Sequence, residues 1–211
     1  MTVRRSLVLG VVLLAAFVAL GVFVSGSPGG LDALLGELLQ DRWRGPAGVV
    51  AEVVSAVLGP VLPVLFAVAL AIGALVLWRR GDTDRAGIVL RVLLLLGLCR
   101  ATSWLAKPVF ARERPRVYPD FSYPSGHVVS VASTGVAAVV LCTLLAAHLV
   151  AVVTRVAVVA TLLCAASRVV LDVHWLTDTV GAVLAVSGIA LLSAVALRLS
   201  PPVRRGVASS A

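Results

Sequence analysis

Three short stretches hold most of the side chains able to do chemistry: KPVFARERP (107–115), PSGH (124–127) and SRVVLDVHWLTD (167–178). Lys107, Arg114 and Arg168 supply three cations, two of them planar forks that match phosphate oxygens. Ser125 and Gly126 precede an apolar run, where free backbone N–H groups and the helix dipole favour an anion. Gly126 also lets backbone approach a ligand with no Cβ in the way. His174 and Asp178 are four apart, so on a helix they share a face and the carboxylate orients the imidazole. An oriented histidine is a nucleophile, and a second one, His127, is a proton donor. Two histidines, one carboxylate and three cations around an anion hole suit phosphoryl transfer without a metal.

The elements that must position these residues are membrane spans. The chain has 211 residues, a mean hydropathy of +1.08 and 13% charged residues, about half the charge of a soluble domain. Apolar stretches long enough to cross a bilayer recur. The expected fold is all-α: a polytopic membrane protein, one bundle of six spans over residues 1–211. The spans fall at 6–24, 53–78, about 86–106, 128–147, about 152–171 and 179–197. Arg91 and Arg100 interrupt the third and are expected at the interfaces or lining the bundle; Arg155 and Arg168 cut into the fifth. The first span could instead be a signal peptide, but 19 apolar residues exceed the usual run of about 7–15. Between spans one and two, Leu31, Leu34, Leu35, Leu38 and Leu39 share one helical face, with Asp32, Glu37, Asp41 and Arg42 elsewhere. This describes a short interfacial helix on the membrane surface, or one packed over the bundle end.

The net charge of +8 could suggest nucleic acid, but the arginines cluster between apolar runs, as bilayer orientation requires. An N-terminus in the cytoplasm puts Arg4, Arg5, Arg79, Arg80, Arg85, Arg155, Arg198, Arg204 and Arg205 inside. Lys107, Arg112, Arg114 and Arg116 then lie outside, against the positive-inside trend, and need another reason to be there. On this topology Lys107, Arg114, Ser125, Gly126, His127, Arg168, His174 and Asp178 come from separate helix junctions to one membrane depth, where ionisable groups mark a site. Cys99, Cys142 and Cys164 lie inside apolar segments and read as small buried hydrophobes.

The three stretches resemble the signature motifs of the type 2 phosphatidic acid phosphatase (PAP2) superfamily. The pattern K-x6-R-P, then P-S-G-H, then S-R-x5-H-x3-D is matched at every specified position, in order, with 39 residues between His127 and Ser167. The resemblance implies that His174 attacks phosphorus to form a phosphohistidine while Asp178 holds its tautomer. It implies that His127 protonates the leaving group, and that Lys107, Arg114, Arg168, Ser125 and the Gly126 amide hold the phosphoryl oxygens. It implies no metal and no cofactor. Only eight residues separate Pro115 from Pro124, short for the family, which implies a compact or open site mouth.

Singly, these residues have plainer explanations, since a histidine opening a helix is commonly a capping or snorkelling residue. Asp172, four after Arg168, is expected to pair with it. Arg112 and Arg116 are expected to face headgroups or stabilise their loop, Tyr118 and Asp120 are candidates for the site rim, and His148 reads as an interfacial residue on the inner side. The expected function is a lipid-phosphate phosphatase acting on the outer face of a bacterial plasma membrane, with polyprenyl pyrophosphate, phosphatidic acid or phosphatidylglycerol phosphate as substrate. A cell-envelope carrier such as undecaprenyl pyrophosphate is slightly favoured by the arginine- and valine-rich, lysine-poor composition. The alternatives are a phosphotransferase using the same phosphohistidine, a relative of vanadate-dependent haloperoxidases (against which the six apolar spans argue), and a non-catalytic transporter or lipid-binding protein. The expected partners are the lipid substrate and the bilayer, not nucleic acid; oligomeric state has no signal in the sequence.

Overall fold

In a computed structural model, which describes residues 2–26 and 28–199, helices form wherever the sequence offers a long apolar run. They are α1 (Val3–Val24), α2 (Gly30–Leu39), α3 (Pro46–Ala56), α4 (Leu62–Arg79), α5 (Thr83–Phe110), α6 (Gly126–Leu145), α7 (Val150–Val170) and α8 (Leu176–Ala196). Six segments are long and apolar enough to cross a membrane: Val3–Val24, Pro46–Arg79, Thr83–Phe110, Gly126–Leu145, Ala147–Val170 and Leu176–Ala196. The protein is an all-α, six-span integral membrane protein. Arg204 and Arg205, expected on the inner side, lie outside the described residues.

The second span is not one regular helix. Its first part, α3, passes through a π-helical turn at Val57–Val61 containing Pro60 before continuing as α4. Proline cannot donate to the i−4 carbonyl, and the wider turn absorbs the lost bond. The span therefore begins at Pro46, seven residues before the apolar run at 53 announces it.

Small residues decide which helices touch. α1 runs antiparallel to α8, and the Gly10 and Gly188 backbones meet. A Cβ on Gly10 would stand 3.2 Å from the Gly188 carbonyl oxygen, and one on Gly188 would stand 3.0 Å from that of Gly10. Without side chains in the way, packing holds the pair where no hydrophobic drive operates between helices in lipid. Farther along, Phe17 stacks on Tyr123 with centroids 5.2 Å apart, and Phe110 meets both rings edge-on. The first span is thus part of the bundle. The centre is filled by Val92, Leu95 and Cys99 of α5, Val128 and Val129 of α6, and Ala182 and Val186 of α8, all buried. Arg91 donates to the Gly87 and Leu197 carbonyls, pinning α5 to the far end of α8.

The alternation of helix directions collects the C-terminal ends of α5 and α7, the N-terminal ends of α6 and α8, and α2 at one end. At the other lie the α1 N-terminus, the α4–α5 turn with Arg79, Arg80 and Arg85, and exposed His148. Helix α2 packs over the bundle end, one of its two expected placements. Leu31, Leu34 and Leu38 are exposed, while Asp32 is 1% exposed and turned into the bundle.

Candidate active site

Asp178, the third residue of α8, is the hinge of the site. Its Oδ2 accepts from the Trp175 amide at 2.9 Å, which caps the helix, and lies 3.2 Å from Nδ1 of His174. Because α8 begins at Leu176, the four-residue spacing is spanned across the helix N-terminus and not along a helical face, as the sequence suggested. The physical consequence is the same. With Nδ1–H donating to the carboxylate, the lone pair resides on Nε2, which faces Arg114 Nη1 at 3.0 Å. Both residues are almost wholly buried. Burial pushes the His174 imidazolium well below its usual pKa; Asp178 pulls the other way, while the Arg114 and Arg168 charges add to the depression. Neutral His174 with an unprotonated Nε2 is the state a nucleophile needs.

Arg114 spans the loop before α6. Its Nε donates to the Asp120 carbonyl at 2.8 Å, Nη1 to the Val173 carbonyl at 2.6 Å and Nη2 to the Phe121 carbonyl at 3.1 Å. Its guanidinium also lies 4.7 Å from the Tyr118 ring centroid. The same ring is 5.9 Å from the Arg168 guanidinium, so Tyr118 stands between two phosphate-binding candidates. Lys107, in the last turn of α5, pairs with the Asp120 carboxylate. Arg168 is buried; Nη1 donates to Ser55 Oγ at 2.9 Å, while Nε has no partner. Ser125 Oγ is likewise buried and unpartnered. Buried donors without partners are costly, and an anion would relieve both.

His127 stands at the wall of a cavity of about 460 Å³ with Ser55, Pro60, Tyr118 and Arg168 around it. Its ring is seated against Gly59 in the π-helical turn, where any Cβ would collide with the imidazole. A π-turn at such a place is a recurrent feature of functional sites.

The structure thus brings together His174, Asp178 and Arg114 by direct contact, and Arg168 with His127 around one cavity. Ser125 is tied in through its amide, which donates to the Asp178 carbonyl at 3.1 Å. Lys107 is held by the rim of the loop. One expectation is overturned, and Arg112 and Arg116 take the loop-stabilising one of their two expected roles. Asp172 does not pair with Arg168: α7 ends at Val170, and Asp172 adopts a left-handed backbone (φ 55°) in the turn, off any shared helical face. Arg112 does not face headgroups; it is 1% exposed and bonded to two carboxylates. Arg116 lies over the Trp43 ring, 4.1 Å from its centroid. Tyr118 and Asp120 are at the rim, as expected. The short loop proves compact, folded inward on the bonds of Arg114 and on the Ser122 amide, which donates to the Arg112 carbonyl.

The residues the sequence did not single out are Asp32, Ser55, Gly59, Trp43 and Ser122. Asp32 carried one visible signal, a carboxylate in the first turn of a leucine-rich helix.

Residues 86–200 match the model of the PAP2 superfamily. The chain belongs to that superfamily. Its fold is similar to the crystal structure of the first transmembrane PAP2-type phosphatidylglycerolphosphate phosphatase from Bacillus subtilis. The TM-score is 0.70 at 23% identity, covering 87% of this chain and 93% of that one. No curated protein matches this PAP2 chain in sequence. Membership and fold together support phosphatase chemistry in a membrane.

Proposed function

We propose that the protein is an integral membrane lipid-phosphate phosphatase that works through a phosphohistidine on His174. The observation that carries this reading is the buried Asp178–His174 pair, with the His174 Nε2 lone pair facing Arg114 and two unpartnered donors, Arg168 Nε and Ser125 Oγ, nearby. Nε2 attacks phosphorus, the P–O bond to the lipid alkoxide or phosphate breaks, and His127 gives its proton to the leaving oxygen. Water then attacks the phosphohistidine, His127 takes a water proton, and P–N cleavage releases inorganic phosphate and regenerates His174. Arg114, Arg168, Lys107, Ser125 and the Gly126 amide hold the non-bridging oxygens, where charge spreads in the transition state. No step calls for a metal.

Phosphate must reach His174 Nε2 by taking over donors that Arg114 and Lys107 now give to the loop, so the Arg114–His174 contact opens on binding. The site lies at one end of the spans, the depth at which a lipid phosphate sits. The arginines of Arg4, Arg5, Arg79, Arg80 and Arg85 gather at the opposite end, which supports an extracytoplasmic site by the positive-inside rule. Polyprenyl pyrophosphate, phosphatidic acid and phosphatidylglycerol phosphate are the substrate candidates; the Bacillus subtilis neighbour is named for the last.

The test is phosphate release in detergent with excess EDTA from each of the three lipids, for wild type and His174→Ala. EDTA-resistant release from at least one lipid, abolished in the variant, is the expected result. Release from none of them, with label appearing on added lipid or sugar alcohols, would replace hydrolysis by phosphoryl transfer. Release that survives in His174→Ala would overturn the mechanism.

A further inference from the structure

Asp32 and Arg112 lie outside the motif positions, yet both are almost fully buried against the catalytic carboxylate. Arg112 Nη1 donates to Asp178 Oδ1 at 2.6 Å and to Thr177 Oγ1 at 2.7 Å, and its Nη2 donates to Asp32 Oδ2 at 2.7 Å. Asp32 is anchored in turn: the Thr177 amide donates to its Oδ1 at 3.1 Å, and the Thr177 hydroxyl donates to its Oδ2. A planar guanidinium forked between two carboxylates has one geometry, because its donors are fixed in a plane. The Asp178 carboxylate is therefore held on both sides, by Arg112 on Oδ1 and by His174 and the Trp175 amide on Oδ2.

The charges explain why both residues are needed. Arg112 alone beside Asp178 would cancel the negative charge that steadies His174. Asp32 returns it: two carboxylates and one guanidinium leave one net negative charge beside the imidazole. That charge matters most when His174 carries the phosphoryl group and becomes cationic, in a site where burial weakens solvent screening. Outer partners of this kind orient the groups that do the chemistry.

We infer that Asp32 and Arg112 are positioning residues that act through Asp178 to orient His174 and to preserve the negative charge behind it, so that helix α2 completes the active site. The inference rests on the reading of His174 as nucleophile. It assigns the segment between spans one and two a role in turnover as well as in membrane contact: its exposed leucines face outward while its one buried carboxylate reaches the site.

The test is a double-mutant cycle on the full-length protein in detergent, with short-chain phosphatidic acid as substrate and turnover expressed per mole of folded, monodisperse enzyme. Asp32→Asn is expected to lower kcat about 10- to 100-fold with KM changed less than about 3-fold, the range for outer-shell partners. In an Asp178→Asn background the same change is expected to lower kcat less than about 3-fold, because the route to His174 is already cut. Arg112→Lys keeps the charge but not the fork, and is expected to reproduce both results; it carries the test if Asp32→Asn does not fold. Equal losses in both backgrounds, an unchanged kcat, or loss of fold in both variants would overturn positioning in favour of a purely structural tether. His174→Ala in parallel separates the two readings. If it retains turnover, the nucleophile assignment fails first; if it is dead while Asp32→Asn is unimpaired, only the positioning role is lost.

Discussion

Lys107 and Asp120 form an ion pair across the mouth of the site: the lysine nearly buried at the end of α5, the carboxylate half-exposed in the loop that follows. The carboxylate oxygen occupies a donor proposed to serve a phosphoryl oxygen. A substrate that binds Lys107 must first displace Asp120.

Asp120→Asn removes that competitor. Pairs with one partner exposed contribute up to about 1 kcal/mol after solvent screening. The expected result is therefore a KM about 2- to 5-fold lower with kcat unchanged, read from initial rates at low ionic strength, with the gap closing as salt is added.

The same pair has a pH signature. Burial alone would raise the Asp120 carboxyl. The hydrogen bonds from Lys107 and the Phe121 amide, with the Lys107 and Arg114 charges, outweigh it and hold the group below its usual range. A depressed carboxyl contributes stability that is complete above its unfolded pKa and is lost as pH falls through the folded value. The loop contact should persist at neutral pH and open only in acid, below about pH 4. Proteolysis within 116–121 as a function of pH checks this, and Asp120→Asn should abolish the dependence.

His174 predicts a trend of the same sign in a higher pH window. It is buried neutral, so below about pH 6.5 the unfolded chain binds a proton that the folded chain refuses. Stability should then fall from pH 7 to pH 5, by about 1–2 kcal/mol from this group. Thermal unfolding of His174→Gln in detergent should show a smaller loss over that interval than wild type.

Much of this was legible in the amino-acid sequence, because lipid imposes simple rules. Six spans follow from apolar run length, and the candidate site follows from motif residues placed at helix junctions. What escaped was set by tertiary contact. The π-turn at Val57–Val61 contains Pro60 and seats Gly59 against His127, which no apolar count reveals. Asp172 failed to pair with Arg168 because α7 stops at Val170, and helix ends are poorly marked inside apolar sequence. Arg112 looked like one more loop arginine; its role depends on Asp32, 80 residues earlier in the chain.

Gly59 is the sharpest packing constraint on His127. Gly59→Ala puts a methyl group into the imidazole, so the ring must rotate or the π-turn must shift. Overpacking of this sort costs about 1–3 kcal/mol. Turnover should fall at least about 10-fold, since the proposed proton donor moves, with a smaller effect on KM. Steady-state kinetics alongside thermal unfolding separates the two effects.

Tyr123 ties the first span to the site loop through its hydroxyl, which donates to the Phe17 carbonyl at 2.6 Å in a buried setting. Tyr123→Phe keeps the stacked ring and loses only that bond, so stability should drop by about 1 kcal/mol with turnover within about 3-fold of wild type. A large loss of activity at normal stability would give Tyr123 a part in the chemistry that its position does not support.

The central claim is the covalent intermediate on His174. Its most direct test is rapid quenching of the enzyme with lipid phosphate labelled on phosphorus, followed by denaturation in base and peptide mapping. The account predicts a base-stable, acid-labile label on the peptide containing His174 in the wild type, and no label in His174→Ala. Turnover without any labelled enzyme, or label that persists in His174→Ala, would contradict it.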